Sequence, residues 1–69
     1  MNKNEFVKFE LNCGDSIWIV NKKGEGFPGN YDGNFNSVNE TFRFKNHSNG
    51  QTQIVAIKSL QRLTITERV

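Results

Sequence analysis

Apolar positions along this chain fall in short alternating runs, separated by polar turns containing Gly, Asn or Lys. A period of two puts alternate side chains on opposite faces of a strand, so the pattern predicts an all-β fold. In Phe6–Leu11, Val7, Phe9 and Leu11 alternate with Lys8 and Glu10. A strand fits that run best, and a short N-terminal helix is the alternative. Asn12-Cys13-Gly14-Asp15 reads as a turn. Ser16–Asn21 contains the unbroken run Ile17-Trp18-Ile19-Val20, so both faces of this strand are expected to be covered. Lys22–Glu25 is a hairpin turn, with Gly24 able to take positive φ. Gly26–Tyr31 is a strand that must bend or lie at an edge, because Pro28 has no N–H and Gly29 admits a bulge.

Asp32–Asn36 reads as a polar loop. Asn39–Lys45 alternates again, with Phe42 and Phe44 against Thr41, Arg43 and Lys45. Asn46–Gly50 ends in Asn-Gly, a strong hairpin signal. Gln51–Ile57 sets Val55 and Ile57 opposite Ile54 and Ala56. Lys58-Ser59 is a short turn, and Leu60–Thr66 is the last strand, with Leu63 and Ile65 inward. The predicted core is Ile17, Ile19, Phe27, Tyr31, Phe42, Phe44, Val55, Ile57, Leu63 and Ile65. Strands this few and this short cannot make two packed sheets. A small, strongly bent five-stranded SH3-like barrel, preceded by an extra strand or short helix, leaves little edge exposed and needs little core.

The chain has 69 residues, which allows a single domain. Domains this small are marginal alone and usually add disulfides, a metal or self-association. One Cys and one His supply neither an internal disulfide nor a Cys/His metal site, which leaves a homo-oligomer as the expected device. The net charge of +2 does not by itself imply nucleic acid. No apolar run approaches the ~18 residues of a membrane helix, and Met1-Asn2-Lys3-Asn4-Glu5 lacks an apolar signal core. A cytoplasmic protein is expected, and an unpaired Cys13 agrees with a reducing compartment. Frequent Asn, with Lys and Ile, suggests an AT-rich genome, bacterial or phage.

The stretch Gly29–Phe42 resembles the first motif of the Sm-like family, which includes Sm proteins, archaeal Sm-like proteins and the bacterial Hfq type. That motif runs roughly Gly-x-(Leu/Tyr)-x-Gly-x-Asp-x-x-Met-Asn-x-x-Leu, and Gly29, Tyr31, Gly33, Val38, Asn39 and Phe42 occupy matching positions. Ile17–Val20, Lys23-Gly24 and Phe27 resemble the family's first hairpin. Ile54–Leu60 resembles its second motif. The family's Asp position is Phe35 here, and its Arg-Gly or Lys-His pair reads Lys58-Ser59. The resemblance spans residues 14–66 and implies an Sm-like barrel core behind an N-terminal segment, 1–13. It further implies a ring of six or seven subunits, with the fourth strand of one pairing with the fifth of the next, and single-stranded RNA as ligand.

The candidate RNA- or nucleotide-binding residues are Phe35, Asn39, Lys58 and Ser59. The resemblance implies that Asn39 bonds a base edge at the pore; otherwise it starts a strand and caps the loop. Phe35 is either a stacking platform for a base or a loop anchor folded onto the barrel. Lys58 and Ser59 offer a cation and a hydroxyl to phosphate or base, or are a plain surface turn. Lys22, Lys23, Arg43 and Lys45 form a candidate basic patch, against ordinary solvation of a polar face. Trp18 is expected in the core or a subunit interface, and His47 in solvent. No carboxylate pair, cysteine–base pair or phosphate loop is visible, so the expected function is non-enzymatic, with no cofactor. The leading expectation is an Sm-like ring binding RNA. The alternatives are a small barrel that sequesters a nucleotide signal and one that inhibits a protein partner.

Overall fold

The computed structural model describes residues 1–69. A short helix, α1 (Lys3–Val7), precedes β1 (Ser16–Asn21), β2 (Gly26–Tyr31), β3 (Thr41–Asn46), β4 (Gln51–Ala56) and β5 (Leu60–Glu67), and a 3-10 turn (Ile57–Ser59) joins the last two. The strands form one antiparallel sheet in the order β4-β3-β2-β1-β5. β4 and β5 are its edges and do not pair with each other, so the sheet bends around the core without closing. No helix is long and apolar enough to cross a membrane.

The bends follow from sequence. Register shifts at Ser16/Ile17 and Val20/Asn21 bulge the β1–β5 ladder, which increases local twist. β2 lies inside the sheet, yet it pairs with β3 only over Gly29–Tyr31. The Pro28 carbonyl accepts the His47 N–H at 2.9 Å. In an antiparallel strand the N–H and C=O of one residue face the same side. The donor that Pro28 lacks therefore faces the end of β3, where the ladder is stopping. Gly29 sits at the start of the β2–β3 pairing, and a Cβ there would run into the Lys45 carbonyl and the Phe44 ring.

Residues 6–11 form no strand. The Asn2 side chain accepts the Glu5 N–H at 2.8 Å and caps a helix. Phe6, not Val7, then points inward: Phe6 is 4% exposed and Val7 47%. The core is Phe6, Ile17, Ile19, Tyr31, Phe42, Phe44, Val55, Ile57, Leu60 and Leu63. Phe27 and Ile65, expected inside, are only partly buried. Phe27 precedes the point where β2 meets β3, and Ile65 lies toward the end of the edge strand β5. Phe6 and Leu60 fill the core in their place. Trp18, expected in the core or a subunit interface, lies outside the core. Its ring lies over Gly26 on the outer face of β1, 39% exposed, while Val20 is buried.

One buried carboxylate ties the two ends of the chain together. Asp15 is fully enclosed. It accepts the backbone N–H of Asn12 at 2.8 Å and of Val69 at 3.0 Å, and pairs with Arg68 Nη1 at 3.3 Å. Arg68 also donates to the Phe9 and Glu10 carbonyls at 2.7 Å each. The turn after α1 is thereby fastened to the end of β5.

Candidate nucleic-acid interface

The loop between β2 and β3 ends in a tight tip. Asn36 and Thr41 exchange two backbone hydrogen bonds, 2.8 and 3.2 Å, which close Ser37-Val38-Asn39-Glu40 into a small projection. The Asn36 Oδ1 accepts the N–H of Val38 at 3.0 Å and of Asn39 at 2.9 Å. Asn36 is therefore the capping residue, and the Asn39 side chain is left exposed without a partner in the protein. Val38 beside it is 88% exposed.

The tip is joined to the 3-10 turn, 18 residues further along. The Glu40 carbonyl accepts the Ile57 N–H at 2.9 Å, and Glu40 Oε2 lies 3.1 Å from Lys58 Nζ. Ile57 is fully buried and anchors the turn. That leaves Lys58 and Ser59 outside, both exposed. The Ser59 hydroxyl donates to the Ala56 carbonyl at 2.6 Å, so its proton is committed and its lone pairs remain available. The Lys22 N–H donates to the Ser59 carbonyl at 3.0 Å, which brings the β1–β2 turn against the same region. Lys3 Nζ reaches the Ser37 carbonyl at 3.4 Å. These contacts link the four segments that carry Asn39, Lys58 with Ser59, Lys22 and Lys3.

Phe35 is set apart from this group. Its ring stacks on Phe6, with centroids 5.5 Å apart and planes 28° apart, and Phe6 stacks on Phe42 at 4.9 Å. Phe35 is thus anchored to the core, yet it remains 37% exposed. With Phe6, Val7, Glu10, Leu11 and Tyr31 it lines an open notch of about 160 Å³. Burial, with the neighbouring Cys13 thiol, pushes the Tyr31 phenol above its ordinary value, so it stays protonated in neutral solution.

The four cations of the expected basic patch have different surroundings. Arg43 is paired with Asp32 at 3.2 Å. Lys45 is exposed on β3 across from Asn30. Lys22 and Lys23 lie in the β1–β2 turn, where the Lys23 N–H is capped by the Asn21 Oδ1 at 3.0 Å. Only Lys22 is tied to the turn that carries Lys58. His47 is exposed, with Nε2 2.6 Å from the Asn30 Oδ1; for that contact to be a hydrogen bond, Nε2 carries the proton.

Two participants escape a reading by motif. Glu40 matters through its contacts with Ile57 and Lys58, which the sequence does not announce. Asn36 could have been found, because an Asn two residues before an exposed apolar tip is a common Asx-turn signal. Searched against family models, curated proteins and solved structures, the chain matches none.

Proposed function

We propose that the protein is a non-enzymatic Sm-like subunit that assembles into a ring of six or seven copies and binds single-stranded RNA. The observation that carries this reading is the junction of the 36–41 tip with the 57–59 turn through Glu40, the residue that follows the unpartnered Asn39 and contacts both Ile57 and Lys58. An amide that both donates and accepts suits a base edge, and a neighbouring cation suits the phosphate. Bases of single strands are open to such edge contacts.

The sheet edges support assembly. β4 reads Gln51-Thr52-Gln53-Ile54-Val55-Ala56. It has no charge, no Pro and no bulge, the devices that normally protect an edge from pairing. β5 is the other free edge. Pairing β4 of one copy with β5 of the next uses a different surface on each side. Such contacts form a ring if the rotation closes. Ring closure would leave no edge exposed and would supply the burial a 69-residue chain lacks.

The test is native mass spectrometry of protein purified gently at low salt. A hexamer or heptamer carrying heterogeneous RNA is expected. Asn39→Ala combined with Lys58→Ala should abolish RNA binding without dissociating the oligomer. A bare monomer or dimer would sink the reading and turn the search to a protein partner. One feature favours a second reading, a nucleotide-sequestering barrel: the half-exposed Phe35 ring over its apolar notch has room for a single base. A discrete bound mass of a few hundred daltons, lost in Phe35→Ala, would select it.

A further inference from the structure

Glu40 is well placed to oppose the binding of phosphate at Lys58. The two side chains differ in freedom: that of Lys58 is 74% exposed, that of Glu40 23%. Glu40 is also fixed through its backbone. Its carbonyl is bonded to the Ile57 N–H, and its φ of +55° is a left-handed conformation that few L-residues occupy without local support. The pair is therefore a fixed anion holding a mobile cation.

Asp32 repeats the arrangement at the other end of the loop by pairing with Arg43. Arg43 and Lys58 are thus both occupied by carboxylates of that loop, whereas Lys3 reaches it only through the Ser37 carbonyl. A single unpaired lysine would attract phosphate directly. Here an incoming phosphate must displace the Glu40 carboxylate from Lys58, and it is repelled by that carboxylate once displaced.

We infer that Glu40 is an autoinhibitory anion: it occupies Lys58 in the unliganded protein, weakens phosphate binding there, and leaves recognition to the Asn39 amide. This inference rests on the RNA-binding reading above. The consequence is a site that holds RNA modestly and discriminates by base edge more than by backbone charge. Ligands that offer a base edge without a phosphate at this position escape the penalty.

The experiment measures fluorescence anisotropy of a labelled single-stranded RNA oligonucleotide of mixed sequence, titrated with wild type, Glu40→Gln, Lys58→Ala and the double variant. Glutamine keeps the shape of the side chain and removes the charge. Circular dichroism and native mass spectrometry establish that each variant is folded and assembled as the wild type is. Glu40→Gln should bind roughly three- to tenfold tighter, the effect of about one unit-charge interaction in water. Its salt dependence should steepen by about 0.7 in logarithmic slope, the increment for one added phosphate contact on a single strand. The gain should vanish when Lys58 is also Ala. Binding by Glu40→Gln with none by wild type would support the inference equally.

Equal affinity of wild type and Glu40→Gln, with Lys58→Ala impaired, would overturn the role of Glu40 and leave RNA binding standing. A gain that persists without Lys58 would show a general charge effect and overturn it too. Binding by none of the four proteins would remove both the inference and the RNA reading.

Discussion

Asp15 joins stretches of chain 53 and 54 residues apart, through Arg68 and the Val69 N–H. The N–H groups of Asn12 and Val69, then the charge of Arg68, hold its carboxyl below the ordinary 3.8, against the opposing effect of burial. It lies close to the molecular surface, sealed from water by its own turn and the last two residues of the chain. A carboxyl whose native pKa is depressed stabilises the fold fully above its unfolded pKa. That stabilisation is lost as pH falls through the unfolded value toward the native one. Urea unfolding midpoints should therefore be flat from about pH 7 to about pH 5 and fall below about pH 4, as this carboxylate gains its proton. Asp15→Asn should start lower at neutral pH, since an amide accepts at one oxygen only, and should fall less on acidification. Parallel curves for the two proteins would show that Asp15 contributes nothing to acid sensitivity and that other carboxylates dominate.

At the scale of elements, α1 adds little backbone structure and a large side chain. Phe6 stacks on Phe42 and supports Phe35, so the helix connects the core to the loop that leads to the candidate site. Deleting a buried phenylalanine ring typically costs 3–5 kcal/mol, so Phe6→Ala should lower stability by about 3 kcal/mol. In a domain of this size that is a fall in Tm on the order of 10–20 °C. Amide exchange in residues 33–36 should accelerate as Phe35 loses its support, while Phe6→Leu should keep most of the packing. A loss below about 1 kcal/mol in Phe6→Ala would mean that the helix is not docked in solution. This element was also the least legible in sequence. The period of two at Val7, Phe9 and Leu11 suggested a strand, but Asn2 followed three residues later by Glu5 is a helix-start signal, and the cap is what formed. The five strands were legible because short apolar runs, alternating in β3, β4 and β5 and unbroken in β1, are set off by turn residues; β1 and β2 fall on the expected limits. The Asp15 fastening and the contact of Glu40 with Lys58 left no local trace, since their partners come from distant sequence. In the candidate site, Asn39 and Lys58 stood out through a family resemblance, whereas the pairing that restrains Lys58 emerged only from the fold.

For the whole molecule, the decisive property is an open sheet with two free edges, of which β4 carries no protecting charge, Pro or bulge. The outward donors of β4 follow from its neighbour. Arg43 N–H and C=O are bonded toward the loop, to Gly33 and Asp32, and those of Thr41 to Asn36. Alternation then turns Phe42, Phe44 and Asn46 toward β4. Their partners Val55, Gln53 and Gln51 face β3, and Thr52, Ile54 and Ala56 present their N–H groups to the open edge. Proline is tolerated on an edge strand where its missing N–H would face outward. Ile54→Pro should therefore leave the β3–β4 ladder and the core intact, while removing a donor at the middle of the edge that the proposed ring would use. The expected result is a folded monomer by size-exclusion chromatography and circular dichroism, with RNA binding lost because the ring that gathers several weak sites is gone. Gln53→Pro, which breaks a bond to β3 instead, should unfold the strand itself. If Ile54→Pro still assembled like the wild type, β4 would not be the joining edge, and the protein's stability would have to come from the monomer alone.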